Sequence, residues 1–129
     1  MKWEFEGYTI NTDKSLVSVD RVKEFLSDSY WASNRSIDII ERTIVNSFCY
    51  GVYHDKELVG FARVVSDYAT MFWTCDVYID KSHRGKGLGK KLVGCIIETQ
   101  EFKNLKGILV TRDAHGLYEQ FGFKELNQG

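Results

Sequence analysis

The sequence predicts one α/β domain of the α+β kind over residues 1–129, a mixed, mostly antiparallel twisted sheet flanked by helices in the order β-α-α-β-β-β-α-β-α-β. Three observations carry that expectation. β-rich runs occur at EGYTINT, FCYGVYHDKELVGFARVV, TMFWTCDVYID, LKGILVTRD and GFKEL. Between them, apolar residues recur at helical spacing. Finally, 129 residues with 43% hydrophobic content can bury one sizeable core and are too few for two.

Taken in order, EGYTINT alternates and reads as the first strand. Val19, Val22, Phe25, Leu26 and Tyr30 then mark a helix that Ser18 or Asp20 can cap. A second helix follows SNRS, with Ile37, Ile40, Ile44 and Val45 as its buried stripe. FCYGVYHDKELVGFARVV reads as a hairpin turning at HDKE, and TMFWTCDVYID as a third long strand. Leu88, Leu92, Val93, Ile96 and Ile97 line one face of the next helix. LKGILVTRD is a strand, AHGLYEQF a short helix with Asp113 as its N-cap, and GFKEL a last short strand. Hairpins followed by a strand-helix-strand crossover imply antiparallel pairs and one parallel pair.

Charge narrows the range of partners. The net charge is -1, yet Lys81, Arg84, Lys86, Lys90 and Lys91 crowd into a stretch with no acid, leaving 12 basic against 18 acidic residues elsewhere. One positive patch on an acidic body suits a small anion; a nucleic acid track would interleave basic and aromatic residues over a wider face. MKWEFEGYTI lacks the apolar core of a signal peptide and no run could span a membrane, so a cytoplasmic protein with neither nucleic acid nor membrane partner is expected. Cys49, Cys75 and Cys95 are odd in number, sit in apolar segments and lack metal-ligand spacing, which predicts buried free thiols. His54, His83 and His115 are scattered and read as surface histidines, so no metal is expected.

SHRGKGLGKKL, residues 82–92, lies between the end of a strand and the start of a helix. Backbone N–H groups are unpaired at such a junction. Gly85, Gly87 and Gly89 let the chain turn and let a ligand reach the backbone, and the helix dipole favours an anion there. A P-loop is excluded, because Arg84 stands where its first glycine belongs and Lys91 where Ser or Thr belongs. The spacing GxGxG also excludes the dinucleotide pattern GxGxxG.

Taken together, DVYIDKSHRGKGLGKKL and DAHGLYEQFGF resemble the GNAT superfamily of acetyl-CoA-dependent N-acetyltransferases. Arg84, Gly87 and Gly89 match that family's pyrophosphate loop, and Leu117, Tyr118, Gly122 and Phe123 its later signature. Two matching motifs are more specific than either alone, and element order agrees along essentially the whole chain. Lys81 replaces a proline common in the family, and the chain ends early enough for its last strand pair to look incomplete.

The resemblance implies an enzyme, a GNAT-type acyltransferase moving the acetyl group of acetyl-CoA to a primary amine on a small molecule or peptide by direct attack in a ternary complex. The rival reading is a CoA or acetyl-CoA sensor without turnover. Residues Arg84, Gly85, Lys86, Gly87, Leu88, Gly89 and Lys90 would hold the pyrophosphate, and the amides of Val77, Tyr78 and Ile79 the pantetheine arm. Tyr118 would donate to the leaving thiolate. Trp31 and Arg35, in the link YWASNRS, would grip the acceptor. The resemblance also admits a homodimer. The amine must be neutral to attack, and deprotonating a lysine-like amine of pKa about 10.4 costs about 4.6 kcal/mol at pH 7. Asp76, in the middle of its strand and two residues before Tyr78, is the carboxylate best placed by sequence to serve as the base. The competing reading of Asp76 is an edge carboxylate that faces water.

Overall fold

The structure is a computed structural model that describes residues 1–29, 31–109 and 124–125. Among the described residues the expected elements occur in the expected order, with one strand added at the front. Strand β1 (Lys2–Phe5) pairs antiparallel with β2 (Tyr8–Asn11). The expected single strand EGYTINT is thus the second arm of a hairpin. Glu6 and Gly7 make its turn, with φ of 47° and 88°. Two positive φ values in a row fit the right-handed twist of the flanking strands, and Gly7 lowers the cost of one.

Helix α1 (Val19–Ser27) starts at Ser18, whose side chain accepts from the Arg21 amide; Asp20 lies in its first turn. Helix α2 (Ile37–Val45) starts the same way at Ser36, which accepts from the Ile39 amide. Its buried stripe is narrower than expected. Ile40 and Ile44 are buried, whereas Ile37 and Val45 are exposed, because a nine-residue helix lying on one sheet face buries a single row.

Strands β3 (Phe48–His54), β4 (Glu57–Ser66) and β5 (Met71–Ile79) form the antiparallel centre of the sheet. The β3–β4 turn places Asp55 and Lys56 at φ 49° and 71°, a hairpin turn made without glycine. Helix α3 (Leu88–Glu98) leads to β6 (Lys106–Leu109), which runs parallel to β5, and β7 (Lys124–Glu125) runs parallel to β6. Among the described residues the sheet has seven strands in sequence order. The expected helix AHGLYEQF lies outside the described residues.

Side-chain alternation along β3 separates two cores. Tyr50 and Val52 join Ile10, Val59, Ala62, Val64 and Phe72 under α3, which contributes Leu88, Leu92, Val93, Cys95 and Ile96. Cys49, on the other face, joins Leu58, Phe61 and Tyr78 under α1 and α2. Each large apolar side chain buried this way stabilises the fold by roughly 1.5–3 kcal/mol. Burial also pushes the Cys49 and Cys95 thiols up to about 11, which leaves them inert at neutral pH. Cys75 departs from the expectation of full burial: its strand position leaves it partly exposed.

One irregularity places the site. Gly60 and Phe61 pair with Ile79 and Tyr78, but Arg63 pairs with Cys75, so Asp76 and Val77 together oppose Ala62. This is a β-bulge, and Asp76 within it has φ 53°, a left-handed value that asparagine and aspartate tolerate better than most side chains. Strand β6 pairs with β5 only from Met71 to Thr74, so the bulge and Val77–Ile79 have no β6 partner among the described residues.

Candidate active site

A cleft of about 440 Å³ opens between the end of β5 and the start of α3, lined by Val77, Tyr78 and Ile79, by Arg84, Gly85, Gly87 and Gly89, and by Asp28, Ser29 and Trp31 from the other bank. Of the expected loop residues, Arg84, Gly85, Gly87, Leu88 and Gly89 therefore converge with the expected strand residues, and Trp31 joins them; Lys86, Lys90 and Arg35 do not line the cleft.

The loop is built to leave amides free. Gly85 and Gly87 have φ of 81° and 79°, so both turn the chain where a side chain would be strained. Gly87 is the N-cap of α3 and offers no capping side chain. The first helical bond at that end is Lys91 N–H to Gly87 C=O at 3.0 Å. The amides of Leu88, Gly89 and Lys90 precede it and have no intrahelical partner. A Cβ at Gly85 or Gly89 would meet nothing within 4 Å, and one at Gly87 only the Phe5 ring at 3.8 Å, so the space above these amides is open. Leu88, only 2% exposed, fastens the loop to the core. Arg84 is held in place as well: its Nε donates to the Ile79 carbonyl at 2.8 Å and its guanidinium lies 5.1 Å from the Tyr78 ring centroid. Lys86 and Lys90 are exposed beside the open amides.

Sequence reasoning missed three lining residues, Asp28, Ser29 and His83. Asp28 caps the end of α1, accepts from the Tyr78 hydroxyl at 2.7 Å and pairs with Lys81 at 3.1 Å. Those two bonds, the phenol's first, hold its carboxyl below the usual range. His83, expected on the surface, is half-buried in the cleft wall with Nδ1 2.8 Å from the Tyr8 hydroxyl. Its position next to Arg84 was the available signal. Tyr8 lies on β2, 75 residues away along the chain, so the bond could not be foreseen.

Asp76 departs from the solvent-facing reading. It is 7% exposed, so it does not face water. Oδ1 accepts from Trp31 Nε1 at 2.9 Å, and Oδ2 from Arg35 Nη1 at 2.7 Å and Arg63 Nε at 2.8 Å. Burial alone would raise its pKa, but Arg63 and Arg35 outweigh burial and hold it below the ordinary carboxylate value. An ion-paired carboxylate of this kind is a weak base at neutral pH. Trp31 and Arg35 do come together, on opposite oxygens of one side chain. Tyr118 lies outside the described residues, and among those described no group of three or more His, Cys, Asp or Glu could hold a metal ion.

A bulged strand end thus faces an uncapped, glycine-bearing helix start across one cleft, an arrangement that suits a protein binding an anionic ligand. The chain belongs to the GNAT acetyltransferase family: the family model described as an acetyltransferase (GNAT) domain matches residues 45–125. A Gibberella zeae protein described as an acetyltransferase is 26% identical over 98% of this chain and 84% of its own length. The crystal structure of a GNAT-family protein from Xanthomonas campestris superimposes with a TM-score of 0.89 at 36% identity, over 94% of this chain and 87% of that one. A GNAT-family acetyltransferase from Elizabethkingia anophelis with acetyl-CoA bound shares the fold, with a TM-score of 0.71 at 15% identity over 95% of this chain and 80% of that one. This chain is accordingly an N-acetyltransferase whose acyl transfer depends on acetyl-CoA. The open amides of α3 and the clear space over its glycines fit a pyrophosphate. Among the described residues no helix is long and apolar enough to cross a membrane.

Proposed function

We propose that this enzyme transfers the acetyl group of acetyl-CoA to a primary amine, on a small molecule or peptide, by direct attack in a ternary complex. The observation that supports this most is that one cleft is lined both by Arg84, Gly85, Gly87, Leu88 and Gly89 of the loop and by Trp31, a residue 42% exposed. Donor and acceptor can therefore lie side by side, and the amine nitrogen can reach the thioester without an acetylated enzyme between them.

In this reading the loop amides and Arg84 bind the pyrophosphate, with Lys86 and Lys90 adding positive charge, and the backbone of Val77, Tyr78 and Ile79 pairs with the pantetheine arm. The new N–C bond forms as the C–S bond breaks. The attacking nitrogen loses a proton, and the leaving sulfur gains one or a hydrogen bond from Tyr118. Asp76 serves to hold Trp31 and Arg35 against the reacting strand, and the amine's proton passes to water. Asp76→Asn should then leave the shape of the pH–rate profile unchanged; a rate loss concentrated at low pH would restore Asp76 as the base.

The experiment is a panel of amines assayed for thiol release at fixed acetyl-CoA, followed by initial rates with both substrates varied. Intersecting reciprocal plots support the ternary complex, while parallel plots indicate an acetylated enzyme. If no amine releases thiol although acetyl-CoA raises the melting temperature, the sensor reading replaces this one.

A further inference from the structure

The cluster around Asp76 contains more charge than it needs to hold itself together. Arg35 and Arg63 both donate to Oδ2, and among the described residues Asp76 is the one carboxylate paired with either guanidinium. Two cations therefore share one anion, and one positive charge is left over. Arg63 donates through Nη1 to Ser47 Oγ at 3.2 Å, and its side chain is 14% exposed. Arg35 is the more accessible at 21%, and of its guanidinium only Nη1 is used in a side-chain bond among the described residues. Two N–H-bearing nitrogens on that guanidinium are left for another partner.

The location follows from the shared carboxylate. Trp31 and Arg35 hold its two oxygens, so the guanidinium stands within a carboxylate's width and two hydrogen bonds of an indole that lines the cleft. Asp76 directly precedes Val77 on β5, so the cluster adjoins the cleft about 10 Å of strand before Ile79, at roughly 3.3 Å per residue; Asp76 and Arg35 do not line the cleft themselves, and Trp31 joins them to it. The cleft's own described acid, Asp28, is already paired with Lys81. The surplus charge thus sits beside Trp31, on the strand side of the cleft and away from the glycine loop.

We propose that the acceptor is a free amino acid, an amine with a carboxylate a few bonds from its nitrogen, and that Arg35 binds that carboxylate while Asp76 positions Arg35 and Trp31. This rests on the amine-acetylating reading above. A guanidinium edge matches the two oxygens of a carboxylate. One leftover positive charge is balanced by a monoanion, whereas a phosphate dianion would leave an excess and a polyamine would add cations beside an unbalanced one.

The test pairs each amino acid with the amine formed by removing its carboxylate, alongside spermidine and phosphoethanolamine, and measures kcat/KM by thiol release. The amino acid is expected to exceed its decarboxylated partner by roughly 10- to 100-fold, the range of a lost charged hydrogen bond. Arg35→Met should pull that ratio toward one, through a rise in KM for the amino acid; Arg35→Lys should give an intermediate value. Both variants leave Asp76 paired with Arg63 and Trp31, and a parent-like melting temperature verifies the fold. Equal ratios in parent and Arg35→Met, or preference for the decarboxylated amine, spermidine or phosphoethanolamine, overturns the inference while amine acetylation stands. No thiol release with any amine, with acetyl-CoA still stabilising the protein, overturns both.

Discussion

Arg63 Nε donates to Asp76 Oδ2 at 2.8 Å across the one place where β4 and β5 fall out of register. The bond helps to fasten a bulge that carries a buried carboxylate in a left-handed backbone conformation. The same carboxylate holds Trp31 and Arg35, so the bulge and the link between α1 and α2 stand or fall together.

Asp76→Asn should be destabilising by about 3 kcal/mol at neutral pH, because it leaves two largely buried guanidiniums without a counter-charge. Asparagine tolerates the left-handed conformation, so the loss reports charge and not backbone strain. The folded pKa of Asp76 is depressed, so its contribution is present above the unfolded value of about 3.9 and is lost as pH falls through the lower folded value. The gap in unfolding free energy between parent and variant should therefore hold from pH 7 to about pH 4 and close below that. A gap that stays constant into strong acid would mean that the ion pairs contribute nothing.

The glycines of the loop should separate folding from binding. Gly89 is helical with open space around it, so Gly89→Ala should stabilise the free protein by about 0.5–1 kcal/mol while weakening acetyl-CoA. Gly87→Glu puts a side chain and a negative charge into the cradle at φ 79° and should abolish ligand-induced stabilisation, which in the parent is about 2.7 kcal/mol at a hundred times Kd. Thermal melts with and without acetyl-CoA check both. An undiminished shift in Gly87→Glu would remove the pyrophosphate from this loop.

Tyr118→Phe keeps the ring and removes the hydroxyl. The expected result is a fall in kcat of about 10- to 100-fold with the acetyl-CoA melting shift intact. Equal kcat values in the two proteins would leave Tyr118 as a packing aromatic.

Much of this was legible along the chain, since it depends on residues close in sequence. The helices follow from local periodicity and from Ser18 and Ser36, and the cradle from glycines placed between strand and helix. Local conformation and short-range capping decide such features, and a linear reading sees both. What escaped depends on pairing between distant segments. MKWEF became a strand because β2 was there to pair with it, and Ile37 and Val45 stayed exposed because the sheet accepts only one row of α2. The nature of Asp76 was decided in the same way. From sequence it was a strand carboxylate with two readings, base or solvent-facing, yet residues 45, 41 and 13 positions away turned it into a buried anchor. A charged group's role is set by the dielectric and the counter-charges around it, and those are assembled only when β4, β5 and the link between α1 and α2 meet in space.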